Sequence, residues 1–108
     1  MTDPLAAEHA AALAQIEALT REFDEVVAAS RSSNADDEHD PEGATIAFER
    51  QQVVALLEQA RQRLADVEAA VAHREAGDYG ICENCGRPIA PERLAARPAA
   101  RTCIDCAR

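Results

Sequence analysis

The sequence predicts a mainly α fold: an antiparallel two-helix coiled-coil hairpin followed by a small C-terminal four-cysteine finger. Three observations carry this. Two apolar seams run at heptad spacing, a polar aperiodic stretch separates them, and two Cys-x2-Cys pairs follow the second seam. At 108 residues there is room for one modest domain or two small pieces joined end to end. The expected division is 1–76 for the hairpin, with its tip loop at 31–42, and 77–108 for the finger. Composition agrees with thin helical packing rather than a thick core. Only Phe23, Phe48 and Tyr79 are aromatic, there is no Trp, and alanine dominates.

The first helix is expected over about residues 4–30. Leu5, Ala12, Leu19 and Val26 form one row, and Ile16, Phe23 and Ser30 form the row beside it. Together they make an a/d-type seam. The second helix is expected from Pro41 to about Ala76, with Ile46, Val53, Leu57, Ala60, Leu64, Val67 and Val71 as its seam. Both helices open with Asp-Pro, at Asp3-Pro4 and Asp40-Pro41. Aspartate can cap the free amides of a first turn, and proline suits the first helical position because its missing N–H had no helical partner. Gly77 supplies the stop. The second helix corresponds to a rod of roughly 50 Å. Two seams joined by a short polar link can bury each other in a hairpin.

The link ends in DDEHDPEG (36–43), five acids in eight residues: Asp36, Asp37, Glu38, Asp40 and Glu42. Crowded like charge costs free energy. Two readings stand on the residues alone: a solvated turn whose Asp40 merely caps a helix, or charge aimed at a partner.

Residues 82–106 read CENCGRPIAPERLAARPAARTCIDC, with seventeen residues between the two cysteine pairs. This is a spacing of four-cysteine metal sites. Each pair can fold into a tight turn that points both sulfurs at one ion, and Gly86 permits the positive φ such a turn uses. A thioredoxin-like dithiol would need a preceding strand and a βαβ surround, which the sequence lacks. Four thiolates suit zinc and iron both. Cys82, Cys85, Cys103 and Cys106 would close the shell of a Zn²⁺ ion and leave no open position, so the expected role is structural. His9, His39 and His73 are read as structural or solvent-facing. Arg87, Arg93, Arg97 and Arg101 would screen the anionic centre or face a partner. No catalytic triad, phosphate-cradling loop or carboxylate cleft stands out, and the chain is read as a non-enzyme.

The formal charge of −9 is uneven: residues 1–81 hold 6 Arg and 17 acids, residues 82–108 hold 5 Arg and 3 acids. So acidic a chain is a poor fit to nucleic-acid phosphates, which need clustered cations. No apolar run approaches the ~18–20 residues that span a bilayer, and MTDPLAAEHA lacks the basic start of a secretory signal. The expected location is the cytoplasm. The outer face of the second helix, with Arg61, Arg63, Asp66 and Glu68, is read as solvated, and the chain as a monomer.

GDYGICENCG (77–86), RPIAPERLAARP (87–98) and CIDC (103–106) resemble the DksA/TraR family of bacterial transcription regulators. Gly80, the four cysteines, Ile89, Arg93, Leu94, Ala96 and Pro98 stand where that family has them. The resemblance implies an RNA polymerase-binding regulator that does not hold DNA. Its coiled-coil tip would pass through the secondary channel toward the Mg²⁺-containing active centre, with the zinc finger as an outer anchor. Asp36, Asp37, Asp40 and Glu42 would then be the tip contacts, and Arg87, Arg93 and Arg97 the finger contacts. The family pattern Asp-x-x-Asp-x-Ala is kept at Asp37 and Asp40, while Glu42 replaces its alanine. The other reading is a zinc-stabilised protein–protein adaptor with an inert tip.

Overall fold

The computed structural model describes residues 3–33 and 41–107, the side chains of 32, 33 and 41–43 excepted. Among the described residues three helices occur in order: α1 Pro4–Ser33, α2 Pro41–Ala76 and α3 Pro91–Ala96. The first runs three residues beyond its expected end, and the second has the expected bounds. The third was not anticipated. It is six residues long, opens on Pro91 and closes where the Arg97 N–H meets the Arg93 carbonyl at 2.7 Å. Among the described residues none of the helices is long and apolar enough to cross a membrane.

Capping follows the sequence at both ends that can be described. The Leu5 N–H donates to Asp3 Oδ1 at 3.0 Å, and the Ala7 N–H donates to the Asp3 carbonyl at 3.0 Å. Asp3 also accepts from Arg74 Nη1 at 2.7 Å. The Arg74 contact, with help from the first-turn amides, holds the Asp3 carboxyl below its usual range. At the far end of α2, Gly77 takes φ 88°. Its N–H reaches the Arg74 carbonyl at 3.2 Å while the Asp78 N–H reaches the His73 carbonyl at 3.0 Å. This pair of bonds is a Schellman ending, and only glycine enters that left-handed φ without a Cβ penalty.

The chain divides into two compact units, Leu13–Arg61 on one side and Met1–Ala12 with Gln62–Arg108 on the other. In the Leu13–Arg61 unit, Leu19 of α1 packs with Val53, Leu57 and Ala60 of α2, and Ile16 and Phe23 close the cluster. Each buried Leu or Val contributes about 1.5–3 kcal/mol. In the other unit Leu5, Ala12, Val67 and Ala70 are buried, joined by Cys82 and Ile89 of the finger. There Asp3 pairs with Arg74, and Glu8 accepts from Arg63 at 3.1 Å. The early end of α1 therefore meets the late end of α2, which fixes the antiparallel sense.

Candidate metal centre

The finger is built from two tight turns and one short bridge. Ile81 and Pro88 form an isolated antiparallel β-bridge, tied by Cys82 N–H to Arg87 carbonyl at 2.8 Å and Ile89 N–H to Gly80 carbonyl at 2.7 Å. Between them the chain reverses at Gly86, φ 76°, whose N–H returns to the Cys82 carbonyl at 2.9 Å. The second turn closes with the Ala107 N–H on the Cys103 carbonyl at 3.0 Å. The Glu83 N–H donates to the Arg101 carbonyl at 2.9 Å and joins the first turn to the approach of the second. Arg93 of α3 donates from Nε to the Thr102 carbonyl at 2.9 Å, and Tyr79 Oη donates to the Pro98 carbonyl at 2.8 Å. Every one of these bonds braces the approach to a cysteine.

The four thiols converge. The Sγ atoms of Cys82, Cys85, Cys103 and Cys106 all lie within 4.8 Å of one another, the one group of potential metal donors among the described residues. A tetrahedral zinc with Zn–S bonds of ~2.3 Å requires sulfurs about 3.8 Å apart, and Cys85 Sγ lies 3.8 Å from Cys103 Sγ. Cys82 is buried, Cys103 and Cys106 are half-buried, and Cys85 is exposed.

The electrostatics ask for a cation. The backbone N–H of Cys85, then that of Cys103, pull the Cys82 thiol down to about 6. Cys85 is also lowered, chiefly by the Arg87 backbone amide. The Asn84 side chain favours the Cys106 thiolate, yet the neighbouring Cys103, partial burial and the other two sulfurs push Cys106 up to about 12. Four like groups this close cannot all ionise alone, and a dication removes the conflict. The donor set is four thiolates with no open position, which fits a structural zinc ion.

The predicted arginines take different places. Arg87 is exposed, and its pKa is raised chiefly by Cys85, then by the charges of Cys103 and Asp105. Arg93 is half-buried and spends its Nε on Thr102, and Arg97 is exposed at the end of α3. Arg101 turns to Glu83 and Asp66. Asp36, Asp37 and Asp40 lie outside the described residues, and Glu42 falls in the first turn of α2. His73, expected to be structural or solvent-facing, meets Asp78 and Glu83. The face expected to be solvated is partly paired, since Arg63 meets Glu8 and Asp66 meets Arg101. Sequence reading missed those pairs because their partners lie 55 and 35 residues away.

Residues 77–108 match the family model of the prokaryotic dksA/traR C4-type zinc finger. The chain is similar to the uncharacterized protein YteA of Bacillus subtilis, 42% identical over 72 residues, which are 67% of this chain and 30% of that protein. It is also similar to the RNA polymerase-binding transcription factor DksA of Escherichia coli K12, 44% identical over 46 residues, 43% of this chain and 30% of DksA. The chain thus spans about a third of the length of the curated relatives it matches. Among solved structures, DksA2 from Pseudomonas aeruginosa is similar at a TM-score of 0.55 and 26% identity, covering 95% of this chain and 79% of DksA2. The fold is therefore shared over nearly the whole of this chain, and its finger matches the four-cysteine type. Residues 77–108 are thus a zinc finger of the dksA/traR C4 type, set behind two long helices in a fold similar to that of DksA2.

Proposed function

We propose that this protein is an RNA polymerase-binding transcription regulator that acts through the polymerase secondary channel. The observation that carries the reading is the fold likeness to DksA2 over 95% of this chain, joined to a finger of the dksA/traR type. In this reading the helices of residues 1–76 deliver the acidic segment 31–42, and the finger of 77–108 is the anchor. Asp36, Asp37, Asp40 and Glu42 act near the polymerase Mg²⁺, where low dielectric makes each charge count for more than in water. Arg87 and Arg97, exposed on the finger, and Arg93, half-buried beside them, form the anchoring contacts. The protein works as a cytoplasmic monomer and catalyses no reaction of its own. It does not grip DNA, because a net charge of −9 opposes phosphate binding.

The test is a paired substitution at the tip. Asp37→Ala with Asp40→Asn removes two charges and keeps a capping side chain at 40. The expected outcome is polymerase binding within a few-fold of wild type, with the effect on transcription initiation lost. A double variant that regulates initiation like wild type would overturn the tip mechanism.

A further inference from the structure

The finger is held against α2 by an ionic network that neither the metal site nor the helical seam requires. Glu83 follows the first cysteine of the first turn, and Arg101 stands two residues before the first cysteine of the second. Their side chains meet closely: Arg101 Nε lies 3.1 Å from Glu83 Oε1 and 2.9 Å from Oε2. Their backbones are also bonded, Glu83 N–H to Arg101 carbonyl. This pair is then gripped twice by α2. Arg101 Nη1 donates to Asp66 Oδ1 at 3.1 Å, and His73 Nε2 lies 3.4 Å from Glu83 Oε2. Asp66 and His73 are seven residues apart, two turns along one helix face. Both grips are themselves held, Asp66 by Gln62 Nε2 at 2.9 Å and His73 by Asp78 at 2.9 Å.

We propose that Asp66 and His73 are positioning residues, a two-point clip that sets the orientation of the zinc finger on α2 by gripping the Glu83–Arg101 pair. An isolated exposed ion pair is worth little. Here each member has at least two partners, and the arginine fork fixes direction as well as distance. The side chains are a third to two-fifths exposed, so the clip orients the finger more than it stabilises the fold. Two attachment points along the helix restrain rotation, which a single contact would allow. The inference deepens the polymerase reading, and its functional consequence rests on that reading: an anchor directs the helices only where its angle to them is fixed.

The experiment is ¹⁵N relaxation on the zinc-loaded full chain. In wild type the finger amides of 78–107 and the α2 amides of 62–76 are expected to share one rotational correlation time. In Asp66→Asn/His73→Gln the finger amides should show a shorter correlation time than the helix amides, with zinc content unchanged at one per chain. Neither substituted residue is a metal ligand. Should the double variant lose zinc, Asp66→Asn alone leaves the finger's own pairs intact and is expected to show the same separation in weaker form. A variant that retains zinc and still moves with α2 as in wild type would overturn the clip. Failure of wild type to bind polymerase would instead remove the functional reading, and the relaxation result would still decide the clip.

Discussion

Two carboxylates face the two ring nitrogens of His73, Asp78 at Nδ1 and Glu83 at Nε2. A neutral imidazole has one N–H to give, so only the imidazolium satisfies both. Asp78 first, then Glu83, therefore raise the His73 pKa above its ordinary 6.5. The folded state holds this proton more tightly than the unfolded chain. The stabilisation is complete below pH 6.5 and is lost as pH rises through the higher folded value. Asp3 and Glu83 run the other way, since their folded values are depressed, chiefly by Arg74 and Arg101 respectively. Their contribution is present at neutral pH and lost on acidification. His73→Gln is expected to flatten the fall of the thermal midpoint above pH 6.5, measured by circular dichroism. An equal slope in variant and wild type would refute that assignment. The separate residues were legible in unequal measure. Leu5, Ala12, Leu19, Val53, Leu57, Ala60 and Val67 could be read as core because heptad spacing is a local signal. Ala70 is buried too, but alanine is spread over every face of these helices and marks none.

At the scale of elements, the two long helices were legible in type and nearly in extent, because a strong period and Asp-Pro starts are written within a few residues of each end. α3 was not. Six residues are too few to show a period, and its one local mark is Pro91 at the first helical position. The finger's cysteines were legible from spacing alone, while its bracing bonds were not, since Arg93–Thr102 and Tyr79–Pro98 depend on where the folded turns bring distant backbone. That bracing is sparse in apolar burial: Cys82 and Ile89 are the buried hydrophobic residues of the finger among those described. Metal binding must then supply most of its folding free energy, on the order of 10 kcal/mol in zinc-finger peptides. Chelation of the zinc is expected to abolish amide protection over residues 78–107 while the Leu19–Val53–Leu57–Ala60 cluster keeps its own. Protection in the finger that survives complete metal removal would contradict a structural role for the ion.

At the scale of the whole molecule, charge and architecture point the same way. Residues 1–81 hold 17 of the 20 acids against 6 arginines, while 82–108 hold 3 acids against 5 arginines, the uneven charge on which the proposed division into acidic tip and finger anchor draws. The fold class was legible because each half announces itself locally, one by period and one by cysteine spacing. The pairing of Asp3 with Arg74 and of Asp66 with Arg101 was not, because it exists only once the chain has folded back. The central claim, action on RNA polymerase through its secondary channel, is tested most directly by capture of the zinc-loaded chain on purified polymerase, with and without a competitor lodged in that channel. Capture that the competitor abolishes is the expected result. Capture that the competitor leaves unchanged, or no capture at all, would contradict it.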